Sequence, residues 1–136
     1  AGWRGTVNRI LAKTLHRMQS AYGTEGTDVI ACIGPGISLD SFEVGDEVYE
    51  AFRTENFPME YISVWKPETH KYHIDLWAAN RLQLSDFGVP SRQIENAGIC
   101  TYRQHEDFFS ARRLGIKSGR ILSGIMLNGQ EKGERK

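Results

Sequence analysis

Helical spacing and short apolar runs alternate along the chain, and this alternation limits the fold more than any single motif does. Val7, Ile10, Leu11, Leu15 and Met18 recur on one helix face, with Arg9, Lys13, Arg17 and Gln19 elsewhere. That spacing predicts a helix over residues 6–22, ended by Gly23. Residues 28–33 are a short apolar run with β-branched members, which predicts a buried strand. Residues 43–52 place Val44, Val48, Tyr49 and Phe52 on one helix face, and residues 61–65 alternate like a strand. A brief extended segment at 72–74 runs into Asp75, an N-cap for a helix over residues 76–87 that Gly88 closes and Pro90 follows. Strands are expected at 94–99 and 121–127, with a helical turn at 105–109 between them. Alternation of this kind implies an α/β or α+β layering in which helices cover a sheet.

The length of 136 residues fits one domain with one core, and neither an internal repeat nor a linker divides it. Residues 1–128 are read as the folded portion and residues 129–136 as a polar, frayed tail. Formal net charge is zero, which argues against a nucleic-acid partner bound through bulk charge. No apolar run approaches a membrane span and no signal peptide is visible, so no membrane partner is expected. The two cysteines, Cys32 and Cys100, form no disulfide framework, so a reduced, cytoplasmic setting is the expectation. Cys32, in mid-strand, is read as a small core residue. The chain opens Ala1-Gly2-Trp3-Arg4-Gly5 with no methionine, and is expected to begin inside something longer.

Potential chemistry is densest in residues 100–120. A thiol (Cys100), a phenol (Tyr102), Phe108 and Phe109, a hydroxyl (Ser110) and the guanidiniums of Arg103, Arg112, Arg113 and Arg120 fall together there. Arginine forks match phosphate and carboxylate in two-pronged fashion, and Tyr102 with Phe108 or Phe109 offers rings to stack on a base. The alternative is a surface loop in which the phenylalanines are core and the arginines are solvated or paired with Glu106 and Asp107. Arg4, beside the small residues Gly2 and Gly5, offers a second anion contact, or else a solvated arginine next to a packing glycine pair. The turn Gly34-Pro35-Gly36 follows a strand but matches neither the dinucleotide nor the P-loop pattern. A thiolate at Cys100 needs a cationic neighbour, which Arg103 and His105 could supply, yet packing accounts for it equally. His70 and His73 are three apart, and no pair of histidines has a recognised zinc spacing.

Several stretches together resemble one family. They are Ala1-Gly2-Trp3-Arg4-Gly5-Thr6, Ile33-Gly34-Pro35-Gly36-Ile37, Phe42-Glu43-Val44-Gly45-Asp46-Glu47-Val48, Lys71-Tyr72-His73-Ile74-Asp75-Leu76-Trp77-Ala78-Ala79-Asn80 and the 100–120 stretch. In that order they resemble the bacterial laccase-like polyphenol oxidases, a family also described as purine nucleoside phosphorylases and peptidoglycan-editing factors. The resemblance implies an α+β fold, layered α/β/β/α with a mixed sheet, of which this chain is an incomplete C-terminal portion. It implies a zinc-dependent enzyme that phosphorolyses adenosine, inosine and guanosine and deaminates adenosine. Copper-dependent phenol oxidation and an amidase-type editing of cell-wall precursors are the other activities assigned to such proteins. A non-catalytic fragment that needs its N-terminal half is a further alternative. The family's metal ligands would all fall outside this chain, one of them a histidine directly before Ala1, so no metal ligand is assigned here. Gly2, Trp3 and Arg4 would flank the metal pocket and the 100–113 region would form part of its wall. Arg4, Tyr102, Phe108, Arg112 and Arg113 are accordingly the expected substrate-binding residues, with no catalytic residue assigned. The chain departs from the family at Asp40 and Ser41, where cysteines are common, and at Phe42, usually tyrosine. The expected partners are a purine nucleoside, phosphate, and either the enzyme's own N-terminal portion or a second copy.

Overall fold

A computed structural model describes residues 1–129. Expectations for 130–136 lie outside the described residues. The chain begins with a short helix α1 (Trp3–Val7) and a longer α2 (Ile10–Tyr22), where one continuous helix was expected from residue 6. Arg9 breaks it by adopting the left-handed conformation, φ 56°. The cause is tertiary. Arg9 stretches across to residues 55–57, its guanidinium 4.1 Å over the Phe57 ring and its Nη2 donating to the Glu55 carbonyl at 2.9 Å. Gly23 ends α2 as expected, at φ 68° with its N–H donating to Gln19 O.

Strand β1 (Ala31–Ile33) is shorter than predicted and is half-buried at best. Cys32 is exposed, which corrects the expectation of a core cysteine. The helical pattern at 43–52 resolves into β2 (Glu43–Val44) followed by α3 (Asp46–Thr54), with Gly45 at the boundary. Period-3.6 and period-2 patterns overlap on Val44, so helix spacing alone did not separate them. A single helical turn, α4 (Met59–Ile62), occupies the start of the expected 61–65 strand and leads into β3 (Ser63–Lys66). Then come β4 (Lys71–Ile74) and α5 (Leu76–Phe87). Asp75 caps α5 by accepting from Ala78 N at 2.9 Å, and Gly88 closes it at φ 99°. Strand β5 (Ile94–Asn96) is half the expected length, and residues 105–109 form turn rather than helix. The helical turn lies just beyond, as α6 (Ala111–Leu114), where Ser110 Oγ accepts from Arg113 N. Residues 121–127 pair with no strand among the described residues, contrary to expectation.

The fold is α+β. Parallel and antiparallel pairing are both present, as expected: β1 pairs with β5 in parallel, and β2–β4–β3 form an antiparallel sheet. The larger core lies between the antiparallel sheet and α1, α3, α4 and α5. Phe52, Ile62, Ile74 and Ala79 are fully buried in it. A smaller core of Leu15, Leu84, Val89 and Ile94 fixes α2 and α5 to the parallel pair. No described helix is long and apolar enough to cross a membrane.

Candidate functional site

A groove of about 960 Å³ runs between the start of α1, the turn after β1, the first turn of α5 and residues 109–123. That size is within the range of small-molecule sites. Arg4, Arg112 and Arg120 line it, and among the described residues no aspartate or glutamate does. Trp3, Phe42, Trp77 and Phe109 supply aromatic wall. The groove therefore joins cationic forks to ring faces, a combination suited to an anion that carries a planar group.

Local structure fixes most of these side chains. The Arg4 guanidinium stacks 4.7 Å over Trp3. Gly5 packs closely on Ala1, where an added Cβ would stand 3.1 Å from the Ala1 Cβ, so Gly5 serves packing. The Gly34-Pro35-Gly36 turn is tied to the end of the β5 segment: Gly36 N donates to Ile99 O and Thr101 N donates to Gly36 O, each at 3.1 Å. The Arg112 guanidinium lies 5.2 Å over Phe42, and its Nη1 donates to the Glu43 carbonyl at 2.6 Å. Phe42 thus supports an arginine of the groove.

The expected substrate-binding residues separate into two groups. Arg4 and Arg112 line the groove. Tyr102, Phe108 and Arg113 do not; Arg113 sits 4.9 Å over the Tyr102 ring, and Phe108 is half-buried while its neighbour Phe109 faces the groove. Arg112 and Arg113 are engaged by rings and a carbonyl, not by Glu106 or Asp107. Trp77 and Asn80 were not singled out from the sequence as site residues, yet both line the groove. In the sequence both stand in the 71–80 stretch that carries part of the family resemblance, one helical turn apart at the start of a capped helix.

Cys100 lies behind the groove, buried, and is not one of its lining residues. Burial pushes its thiol up. Hydrogen bonds from the Ser38 hydroxyl (3.1 Å) and the Ser38 and Arg103 backbone N–H groups, together with the thiol's own bond to the Ser41 hydroxyl, outweigh this and bring its pKa down to about 7. Ser41 thus lies against the thiol, while Asp40 pairs with Arg103 at 3.2 Å.

His70 and His73 diverge. His73 is buried with Nδ1 2.9 Å from Leu39 O and Nε2 3.7 Å from the Glu43 carboxylate, whereas the His70 ring meets Trp65 edge-on at 6.2 Å. Among the described residues no three His, Cys, Asp or Glu side chains converge to hold a metal ion. The donor set present does not fit zinc or copper.

A family model described as multi-copper polyphenol oxidoreductase laccase matches residues 1–128. A purine nucleoside phosphorylase of Bacteroides thetaiotaomicron is 66% identical over 128 residues, covering 94% of this chain and 47% of that protein. The adenosine deaminase RL5 of an unknown prokaryotic organism is 50% identical, covering 92% of this chain and 47% of its own length. Among solved structures, YlmD of Geobacillus stearothermophilus superposes with a TM-score of 0.73 at 34% identity, over 83% of this chain and 42% of that one. The Bacillus licheniformis hypothetical protein YfiH gives 0.74 at 31%, over 83% and 42%. The chain spans about half the length of the curated relatives it matches.

Proposed function

The chain belongs to the multi-copper polyphenol oxidoreductase laccase family, and we propose that it supplies the arginine-lined wall of a purine nucleoside phosphorylase. The observation that carries the proposal is the groove: three arginines, no carboxylate and four aromatic rings on one surface. Phosphorolysis needs a phosphate held beside a nucleoside. A phosphate oxygen bonds to the ribose anomeric carbon as the bond from that carbon to the purine nitrogen breaks, and the purine leaves with a proton. Arg4, Arg112 and Arg120 would hold and orient the phosphate, and the aromatic wall would take the base. Adenosine, inosine and guanosine are the substrates proposed. The names carried by the Bacteroides relative and by RL5 support nucleoside chemistry, with adenosine deamination as a further activity.

On this reading zinc, with copper as the alternative, belongs to the complete enzyme and is held by side chains outside the described residues. No step is assigned to it here, because the described residues do not converge on a metal. The companion that completes the site is the remaining portion of the same enzyme or a second copy. A cytoplasmic setting remains part of the proposal. The family model's own description favours a second reading, copper-dependent oxidation of phenols.

The test combines the purified chain with the part of the Bacteroides relative that it does not match, and supplies inosine or adenosine with and without phosphate. Free base released only with phosphate supports the phosphorylase. Inosine formed from adenosine without phosphate points to deamination, and coloured product from phenols only with added copper points to oxidation. Arg112→Ala should weaken phosphate binding about tenfold while Arg113→Ala changes it by less than about twofold. Equal effects would remove Arg112 from the site.

A further inference from the structure

Among the described residues, one buried side-chain nitrogen or oxygen lacks a hydrogen-bond partner: the indole Nε1 of Trp77. A donor taken out of water without an acceptor is unfavourable, and native structures rarely keep one without a functional reason. Its surroundings indicate what the reason is. Trp77 stands in the first turn of α5 and lines the arginine groove. Its Nε1 abuts the bare Cα of Gly36, where an added Cβ would stand only 3.2 Å away. The Gly36 N–H and carbonyl are engaged by Ile99 and Thr101, and no acceptor among the described residues bonds the indole. The lining brings three guanidiniums and no carboxylate, so the ligand it attracts is an anion rich in acceptor oxygens.

We propose that the Trp77 indole N–H is a specificity donor of this groove, bonding an oxygen of a phosphate-type anion that the arginines attract. Nε1 is covered by Gly36, whose N–H and carbonyl are bonded to residues 99 and 101, so the oxygen reaches it only when that turn shifts. The inference rests on the nucleoside-and-phosphate reading above and adds to it a neutral donor that the sequence did not mark. A neutral donor beside guanidiniums adds direction to the grip, and so selects among anions of the same charge.

The test labels the indole nitrogens of this chain for NMR, combines it with the part of the Bacteroides relative that it does not match, and titrates inorganic phosphate, then inosine, while calorimetry follows binding. Trp65, which does not line the groove, provides the internal reference resonance. Saturable downfield movement of the Trp77 N–H with phosphate, and about tenfold weaker phosphate binding in Trp77→Phe, are expected. Trp77→Phe keeps a ring and removes the donor. Gly36→Ala, which fills the space beside Nε1, should lower phosphate affinity to a similar degree. Phosphate binding with an unmoved Trp77 resonance and an unaffected Trp77→Phe variant would overturn the inference and leave the phosphorylase reading standing. Movement with inosine alone would overturn the assignment to phosphate. Absence of any binding by phosphate or inosine would remove the reading and the inference together.

Discussion

Cys100 shows how residue chemistry and position can part company. The 100–120 stretch concentrates reactive groups, yet its thiol turns away from the groove and into a nest of hydroxyls and backbone N–H groups around Ser38. Those donors stabilise thiolate, so the folded pKa of about 7 lies below the ordinary 9.0. The sign follows directly. Above about pH 9 both folded and unfolded chains carry thiolate and the stabilisation is fully present. Between 9 and 7 the unfolded chain takes up a proton that the folded chain does not, so stability falls with falling pH. Two units bound the effect at roughly 2–3 kcal/mol. Urea midpoints measured at pH 6 and pH 9 should therefore separate more for the native chain than for Cys100→Ala. Equal separation would mean that the nest does not favour the charged form.

At the scale of elements, what the sequence disclosed depended on whether the signal was local. Helix α5 was legible in full because its stop signals are its own: Asp75 at the cap and Gly88 in the left-handed conformation. The break at Arg9 was not, because nothing in residues 6–12 marks it; it follows from contacts with residues 55–57, nearly fifty positions away. Strand β2 hid inside a helical pattern because its partner, β4, lies about thirty residues on. The groove divided along the same line. Arg4 and Arg112 were legible by residue type, whereas Trp77 became a groove residue only once α5 was laid beside the turn after β1. The local signal at Asp75 can be measured. Asp75→Ala removes the acceptor for Ala78 N and should cost about 1 kcal/mol in urea unfolding, with Asp75→Asn recovering most of it. A loss several-fold larger would show that Asp75 also holds the sheet, since its backbone N–H donates to Ile62 O at 2.7 Å.

The molecule as a whole leaves apolar surface that the fold does not use. Leu122, Ile125, Met126 and Leu127 are 96%, 76%, 84% and 88% exposed, and Ile30 is 65% exposed at the approach to β1. Among the described residues the parallel sheet has two strands, β1 and β5, a number that seldom stands alone, and parallel sheets are ordinarily covered on both faces. Residues 121–127 have strand-forming composition, and one of their side chains, Ser123, lies against Gly34 at the end of β1. An unpaired β-prone segment beside an open strand edge is a template for another chain. The purified chain should accordingly run above monomer mass in light scattering. The complementary part of the Bacteroides relative should convert it to a defined complex. Lysine at both Leu122 and Met126 should suppress self-association and weaken that complex together, because one surface serves both. A monomer that unfolds cooperatively without either partner would show that the small core of Leu15, Leu84, Val89 and Ile94 holds the parallel pair unaided. The exposed segment would then be a tail rather than a strand awaiting its neighbour.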